Sequence, residues 1–141
     1  MSPHLHQIRV YWEDTDAGGI VYHSNYLNFA ERARTEMVRT MGLKQSELAS
    51  AGKGHVFAVR RAEIDFLKPA RLDDLLQVET TVTAVGGASM ELSQTIRRLD
   101  DGADLACLHI KLAFITLDDG RPARIPGWMK DQLRDLESER R

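Results

Sequence analysis

One helical segment, followed by a run of strand-like segments, is the feature that most constrains how this chain can fold. Apolar residues recur at three- and four-residue spacing over 26–41, which predicts an amphipathic helix. A shorter helix is predicted over 44–51, and a short strand, 8–12, precedes the long helix. Four further strands are predicted over 56–67, 75–85, 90–99 and 104–117. A single long helix against that many strands indicates an α+β arrangement.

The links between the predicted strands are short and rich in glycine and aspartate, which favours antiparallel pairing. Turn signals occur at 86–87, 100–102 and 118–120, and a last amphipathic helix is predicted over 127–136. We therefore expect one domain, 1–141, with a curved antiparallel sheet of five strands wrapped around one long central helix. An open sheet leaves an edge strand that needs protection. Pairing with a second copy would provide it, so we expect a homodimer.

Composition excludes several classes of function. The net charge is −2 and the basic residues are scattered, so nothing in the sequence indicates nucleic-acid binding. A single cysteine, Cys107, rules out an internal disulfide and is expected to be a small buried apolar side chain. The N-terminal residues do not resemble a signal peptide, and no apolar run reaches the ~20 residues of a membrane span. A cytoplasmic location is the expectation that follows.

An acidic, glycine-rich segment immediately before the long helix is the strongest candidate for a functional site. Asp14 and Asp16 are two residues apart, so both would face the same way on an extended segment. Gly18 and Gly19 permit a sharp turn and a close approach of ligand to backbone. His23 lies near the predicted helix start, where backbone N–H groups lack partners and the helix dipole favours negative charge.

Three interpretations of this segment remain open at this point. The aspartates can simply cap the turn and the helix end. A calcium loop is a second interpretation, but its last ligand position would be Asn25 instead of glutamate, and no helix precedes it. The third is catalysis by a carboxylate beside N–H donors that stabilise an oxyanion. Ser24 or Asn25 is the expected cap of the long helix.

Several long motifs make this sequence resemble the hotdog-fold acyl-CoA thioesterases. Within the 4-hydroxybenzoyl-CoA thioesterase family, it is most similar to the YbgC branch, the thioesterases associated with the Tol-Pal system. The resemblance extends from about residue 8 to about 126. The motifs that carry it are YWEDTDAGGIVYH at 11–23, NY at 25–26, ERARTEM at 31–37, DF at 65–66 and PARLDD at 69–74.

The resemblance implies a role for each residue of the turn. Asp16 corresponds to the catalytic aspartate, either as nucleophile or as general base for water. The backbone N–H of His23 corresponds to the donor that polarises the thioester carbonyl. Tyr22 and the His23 side chain correspond to positions that line the site. Gly18 and Gly19 would let the backbone approach the substrate.

The resemblance also implies the substrate class and the partners. The substrate would be an acyl-CoA, with no cofactor and no metal required. Its phosphates would be bound by basic residues, for which the candidates are Arg60, Arg61, Lys68 and Arg71. An acyl carrier protein is an alternative carrier, and a non-catalytic scaffold that binds acyl-CoA is an alternative function. The family implies that the homodimer assembles further into a homotetramer.

Remaining notable side chains are expected to be structural. His55 and His109 fall in strand patterns, and His4 and His6 lie at an N-terminus expected to be frayed. Trp128 is expected to anchor the last helix. Two further residues, Glu31 and Arg34, are spaced to form an ion pair on the long helix.

Overall fold

The computed structural model describes residues 3–50, 52 and 54–137 and contains five strands and three α-helices in that part of the chain. A one-turn 3₁₀ helix, Trp12–Asp14, lies between β1 and α1. The elements are β1 (His4–Arg9), α1 (Asn25–Thr40), α2 (Gln45–Ser50), β2 (His55–Phe66), β3 (Leu75–Val85), β4 (Ser89–Arg98), β5 (Asp104–Thr116) and α3 (Gly127–Asp135). The last residue predicted for the second helix, Ala51, lies outside the described residues.

All five strands form one antiparallel sheet in the order β1-β3-β4-β5-β2. Every second residue of β3 and β4 is buried, because those side chains face α1. From the helix, Phe29, Ala30, Ala33 and Met37 are almost fully buried and form the centre of the core. The predicted α+β hotdog fold is therefore confirmed, and β1 and β2 are the two edges of the sheet.

A β-bulge keeps one face of β2 apolar along its whole length. The register changes between Val59 and Arg61, so that Arg60 is an extra residue with no partner of its own on β5. Phe57 opposes Phe114 before the bulge, and after it the inward positions shift by one residue. The apolar side chains that share the inner face of β2 are Phe57, Val59, Ala62, Ile64 and Phe66.

The predicted helix cap is wrong. Ser24 occupies the N-cap position but already has helical backbone angles, φ −70° and ψ −17°, and its side chain makes no capping hydrogen bond. A capping side chain needs an extended backbone at that position. Asn25 instead donates from Nδ2 to the carbonyl oxygen of Asp14 at 2.9 Å, which ties the start of α1 to the preceding loop.

The expectations for the N-terminus, for Trp128 and for Cys107 are also wrong. The N-terminus is not frayed at His4 and His6, because both residues lie in β1 and pair with β3. Trp128 is 56% exposed, and α3 is anchored by the buried Met129 and Leu133. Cys107 is only half-buried.

The expected ion pair on α1 is also absent. Arg34 turns inward and donates to Gln94 on β4 at 3.0 Å, while Glu31 is exposed. The two strand histidines do lie in strands: His55 stacks on Phe114, and His109 contacts Glu91. No helix in the described part of the chain is long and apolar enough to span a bilayer.

Candidate active site

Asp14 is a structural residue of the loop that precedes α1. It is buried, and its Oδ2 accepts the backbone N–H of Tyr11 at 2.8 Å. Its carbonyl oxygen accepts N–H groups from Tyr22 at 2.9 Å and Asn25 at 2.9 Å. The expectation that the two aspartates face the same way is wrong, because the 3₁₀ turn ending at Asp14 breaks the two-residue alternation of an extended chain.

Asp16 is exposed and organises the glycine turn. Its Oδ1 accepts the backbone N–H of Gly18 at 2.8 Å, and its carbonyl oxygen accepts that of Gly19 at 3.1 Å. The N–H of Asp16 donates to Ile20 at 2.9 Å, which closes the turn. One oxygen of this carboxylate therefore has the turn-capping role that the first interpretation gave to the aspartates. The second oxygen, Oδ2, makes no hydrogen bond within the described residues and is available to a substrate.

The two glycines of this turn differ in what an added side chain would disturb. Gly19 has φ +82°, a left-handed conformation that a side chain disfavours. A Cβ added at Gly18 would lie 3.2 Å from Oδ1 of Asp16, so the carboxylate would have to shift slightly. The two positions therefore fix where the carboxylate of Asp16 points.

Unpaired backbone donors lie at the N-terminus of α1. The neighbouring N–H groups of Tyr22 and Asn25 are bonded to the carbonyl oxygens of Asp14 and Tyr22 respectively. In the described part of the chain, the N–H groups of His23 and Ser24 have no hydrogen-bond partner. Sixteen residues of helix follow them, so the positive end of the helix dipole adds to their attraction for an oxyanion.

An aromatic cavity of about 300 Å³ adjoins the His23 side of the turn. The rings of Tyr22 and His23 are 4.5 Å apart, and Phe66 at the end of β2 meets His23 edge-on at 6.3 Å. Tyr26 is buried beneath them, where its hydroxyl oxygen accepts the N–H of Ala70 at 3.0 Å. Burial raises the pKa of Tyr26, so it is a neutral phenol that positions the loop before β3.

Asp16 borders a second cavity of about 480 Å³ on the other side of the turn. Trp12 and Leu72 line that cavity with it. In the isolated chain, Asp16 and His23 therefore line two cavities that share no lining residue.

The predicted phosphate-binding residues are spread over the surface. Lys68 lines the same cavity as His23, and Arg71 is exposed where its backbone bridges to Ile20. Arg60 lies at the bulge of β2, six residues or roughly 20 Å from Phe66 along the strand. Arg61 pairs with Glu63 at 2.8 Å. Only Lys68 is thus brought to the His23 cavity of its own chain.

Two aromatic residues at the site escaped the sequence analysis. Trp12, 79% exposed, lines the Asp16 cavity, although its position suggested the end of a strand. Phe66 was quoted only as part of a motif. A tryptophan next to an acidic turn is the signal that could have identified Trp12.

Metal binding finds no support in the described residues, where no group of three or more histidine, cysteine, aspartate or glutamate side chains converges. The calcium-loop interpretation fails for a geometric reason. Asp14 is buried and its Oδ2 holds a backbone N–H, whereas Asp16 is exposed on the far side of the 3₁₀ turn.

The fold and the turn together define a hotdog thioesterase framework, with an acidic turn leading into the free N-terminus of the central helix. The chain belongs to the thioesterase-like superfamily, whose family model matches residues 10–133. It is 41% identical over 129 residues to the acyl-CoA thioesterase YbgC of Haemophilus influenzae, which covers 92% of this chain and 93% of that protein. The resemblance of the motifs to the YbgC branch is thereby confirmed.

Solved structures agree with this assignment. A probable thioesterase from Bartonella henselae is 38% identical, with a TM-score of 0.84 over 89% of this chain and 100% of its own. A 1,4-dihydroxy-2-naphthoyl-CoA thioesterase from Synechocystis is 25% identical, with a TM-score of 0.87 over 95% of this chain and 97% of its own. The names of these relatives specify an acyl-CoA for YbgC and 1,4-dihydroxy-2-naphthoyl-CoA for the Synechocystis protein.

Proposed function

We propose that this chain is an acyl-CoA thioesterase that hydrolyses acyl-CoA to a free acid and CoA. The observation that carries the proposal is the pair of free N–H groups at His23 and Ser24, which follow the exposed carboxylate of Asp16 by seven and eight residues. The YbgC relative supports the choice of acyl-CoA as substrate class, because its name specifies that activity.

The chemistry requires one carboxylate and one oxyanion donor. As a general base, Asp16 would take a proton from water while the water oxygen bonds to the thioester carbon. As a nucleophile, its oxygen would bond to that carbon, and water would then hydrolyse the resulting anhydride. In both routes the carbonyl oxygen gains negative charge, which the N–H of His23 stabilises. The C–S bond breaks and CoA leaves as a thiolate.

The remaining predicted residues take supporting roles in this proposal. Gly18 and Gly19 hold the carboxylate in place. The rings of Tyr22 and His23 line the path of the thioester, and Lys68 lies close enough to meet the CoA moiety. Binding of the CoA phosphates by Arg60 and Arg71 remains a prediction of the resemblance.

We infer that two chains complete the site. The two residues assigned to the chemistry, Asp16 and His23, open onto different cavities of one chain. Strand β2, twelve residues long, has a free edge and leaves Val59 and Phe66 half-exposed. Such an edge is protected in natural proteins by pairing, which supports a homodimer joined at β2. Assembly into a homotetramer rests on the family alone.

We also infer a cytoplasmic location. The chain has one cysteine, Cys107, and therefore no internal disulfide that an oxidising compartment would favour.

A panel of acyl-CoA esters tests the activity, with release of free thiol as the readout. Asp16→Asn keeps the Oδ1 acceptor for the N–H of Gly18, so the turn should persist while the charge is lost. We expect kcat/KM to fall by at least about a hundredfold. Asp118→Asn, at an exposed turn after β5, is the matched control and should have no effect. Equal rates for wild type and Asp16→Asn would remove Asp16 from the mechanism.

Two alternative functions are separable in the same experiment. An acyl carrier protein is an acidic partner, and the exposed Lys68 and Arg71 beside the site would suit it. Faster turnover of acyl carrier protein esters than of the matching CoA esters would favour that carrier. Binding of acyl-CoA without turnover at any chain length would favour a scaffold.

A further inference from the structure

A buried arginine without an acidic partner lies on the inner side of α1. Arg34 is 7% exposed, and Nη1 donates to Oε1 of Gln94 at 3.0 Å. No carboxylate of the described residues comes within salt-bridge distance of it. Burial lowers the pKa of Arg34, and the more distant charge of Glu31 opposes that effect. A buried cation with only a neutral partner is costly, so this position favours an additional acceptor.

The neutral partner is itself held in place. The Nε2 atom of Gln94 donates to the carbonyl oxygen of Ala30 at 3.0 Å and to Oγ1 of Thr80 at 2.9 Å. Its amide oxygen must therefore face Arg34. These contacts place the guanidinium beside Ala30, one helical turn back towards the N-terminus of α1.

The guanidinium borders a cavity of about 240 Å³ between α1 and the sheet. The other N–H donors of Arg34 have no partner within the described residues. None of its nitrogen atoms is both fully buried and without a hydrogen bond, so the unpaired donors are accessible. The wall combines apolar side chains with the polar residues Thr35 and Gln45, and Glu31 is the one other charged residue among the described residues that line it. The apolar wall residues include Met37, Val38, Phe57, Val59, Met90 and Leu92.

This cavity lies along the same side of α1 as the aromatic cavity at His23. Positions 27, 31, 34 and 38 follow one stripe of α1, and His23 precedes the helix by two residues. The apolar inner face of β2 contributes side chains to both cavities. Phe66 marks the His23 end of that face, and Val59 marks the Arg34 end. Seven residues separate His23 from Ala30, a distance of about 10 Å along the helix. An extended acyl group of roughly eight carbons spans that distance.

We propose that Arg34 is a specificity-determining residue that binds an oxygen, as hydroxyl or carboxylate, at the far end of the acyl chain. The preferred substrates are then medium-length acyl-CoA esters oxidised at their terminal carbon. This inference rests on the proposed thioesterase activity and on acyl entry from the His23 end. Arg34 takes no part in the bond-breaking step.

The test compares three esters of one length: octanoyl-CoA, 8-hydroxyoctanoyl-CoA and the mono-CoA ester of octanedioic acid. Wild type is expected to favour at least one oxygen-bearing ester over octanoyl-CoA by about tenfold or more in kcat/KM. Arg34→Met, close in length and apolar, should bring that ratio near one while octanoyl-CoA turnover persists. Arg39→Met, the same change on the exposed side of α1, should leave the ratio unchanged.

Failure of the inference and failure of the proposed activity give different results. Octanoyl-CoA turnover that equals or exceeds both oxygen-bearing esters in wild type overturns the role of Arg34, even if Arg34→Met does not fold. A preference that survives in folded Arg34→Met overturns it as well. If no ester is hydrolysed, calorimetric binding of octanedioate against octanoate tests the cavity alone. Tighter binding of octanedioate that Arg34→Met removes supports the inference, and equal binding overturns it.

Discussion

The two aspartates of the acidic turn show how two residues of the same type divide structural and chemical work. Asp14 is buried and holds the N–H of Tyr11, whereas Asp16 is exposed and keeps Oδ2 free. A carboxylate that satisfies a buried backbone donor stabilises the fold. One that borders a cavity with an unpaired oxygen is available for catalysis.

Removing the carboxylate of Asp14 should destabilise the protein. Asp14→Ala leaves the N–H of Tyr11 without its acceptor, and a hydrogen bond to a charged group contributes about 1.5–3 kcal/mol. Urea denaturation should show a loss of that size in the free energy of unfolding. Asp16→Ala exposes its donor, Gly18, to water and should change stability by less than about 0.5 kcal/mol. Equal losses in the two variants would contradict the division of roles.

For single residues, the sequence indicated which side chains form the turn but not which way those side chains face. Local spacing left the role of Asp16 open, and the resemblance to the thioesterases assigned roles to Asp16 and the N–H of His23 that stay predictions. The sequence did not predict that Asp14 is buried or that Arg34 turns away from Glu31. Both outcomes depend on distant residues, such as Gln94 on β4, whose contacts are not visible in local spacing.

Among the elements, regular strands were predicted more accurately than irregular backbone. Strand β3 has the bounds predicted from its alternation, 75–85, and β4 and β5 differ from their predicted ends by one residue. The first strand is an exception, because it covers 4–9 instead of 8–12 and residues 12–14 form a 3₁₀ turn. The bulge at Arg60 was not predicted, because an extra residue reverses the alternation that identifies a strand. The cap of α1 failed because the anchor of that helix, the carbonyl of Asp14, belongs to a different element.

A side chain at the left-handed position of the glycine turn should destabilise the protein. Gly19→Ala meets no atom within 4 Å, so its cost comes from φ +82° alone and should be about 1 kcal/mol. Relief of that strain would rotate the turn and lower kcat/KM. Gly87→Ala, in a turn with open space and no positive φ, is the control and should match wild type. Thermal unfolding and thiol release measure the two effects, and unchanged values for Gly19→Ala would show that the turn is not constrained.

For the whole molecule, the two edges of the sheet differ in what they expose. Strand β1 has six residues and alternates half-buried with exposed positions, whereas β2 has twelve and an apolar inner face. A long apolar edge is an aggregation hazard unless something covers it. Sequence reasoning identified the need for a partner but could not say which edge pairs, since that depends on strand order.

A matched pair of charge substitutions distinguishes the two edges. Val59 on β2 and Leu5 on β1 are each 52% exposed, so a lysine at either position would be equally accessible to solvent in an isolated chain. If β2 joins two copies, Val59→Lys places a charge in a desolvated interface and should weaken the dimer by at least about a hundredfold in Kd. Sedimentation should then show the 15.9 kDa chain alone for Val59→Lys, and a multiple of that mass for wild type and Leu5→Lys. If the proposed two-chain site holds, thiol release should also fall with the dimer. A monomeric Leu5→Lys beside an intact Val59→Lys would place the interface at β1 instead.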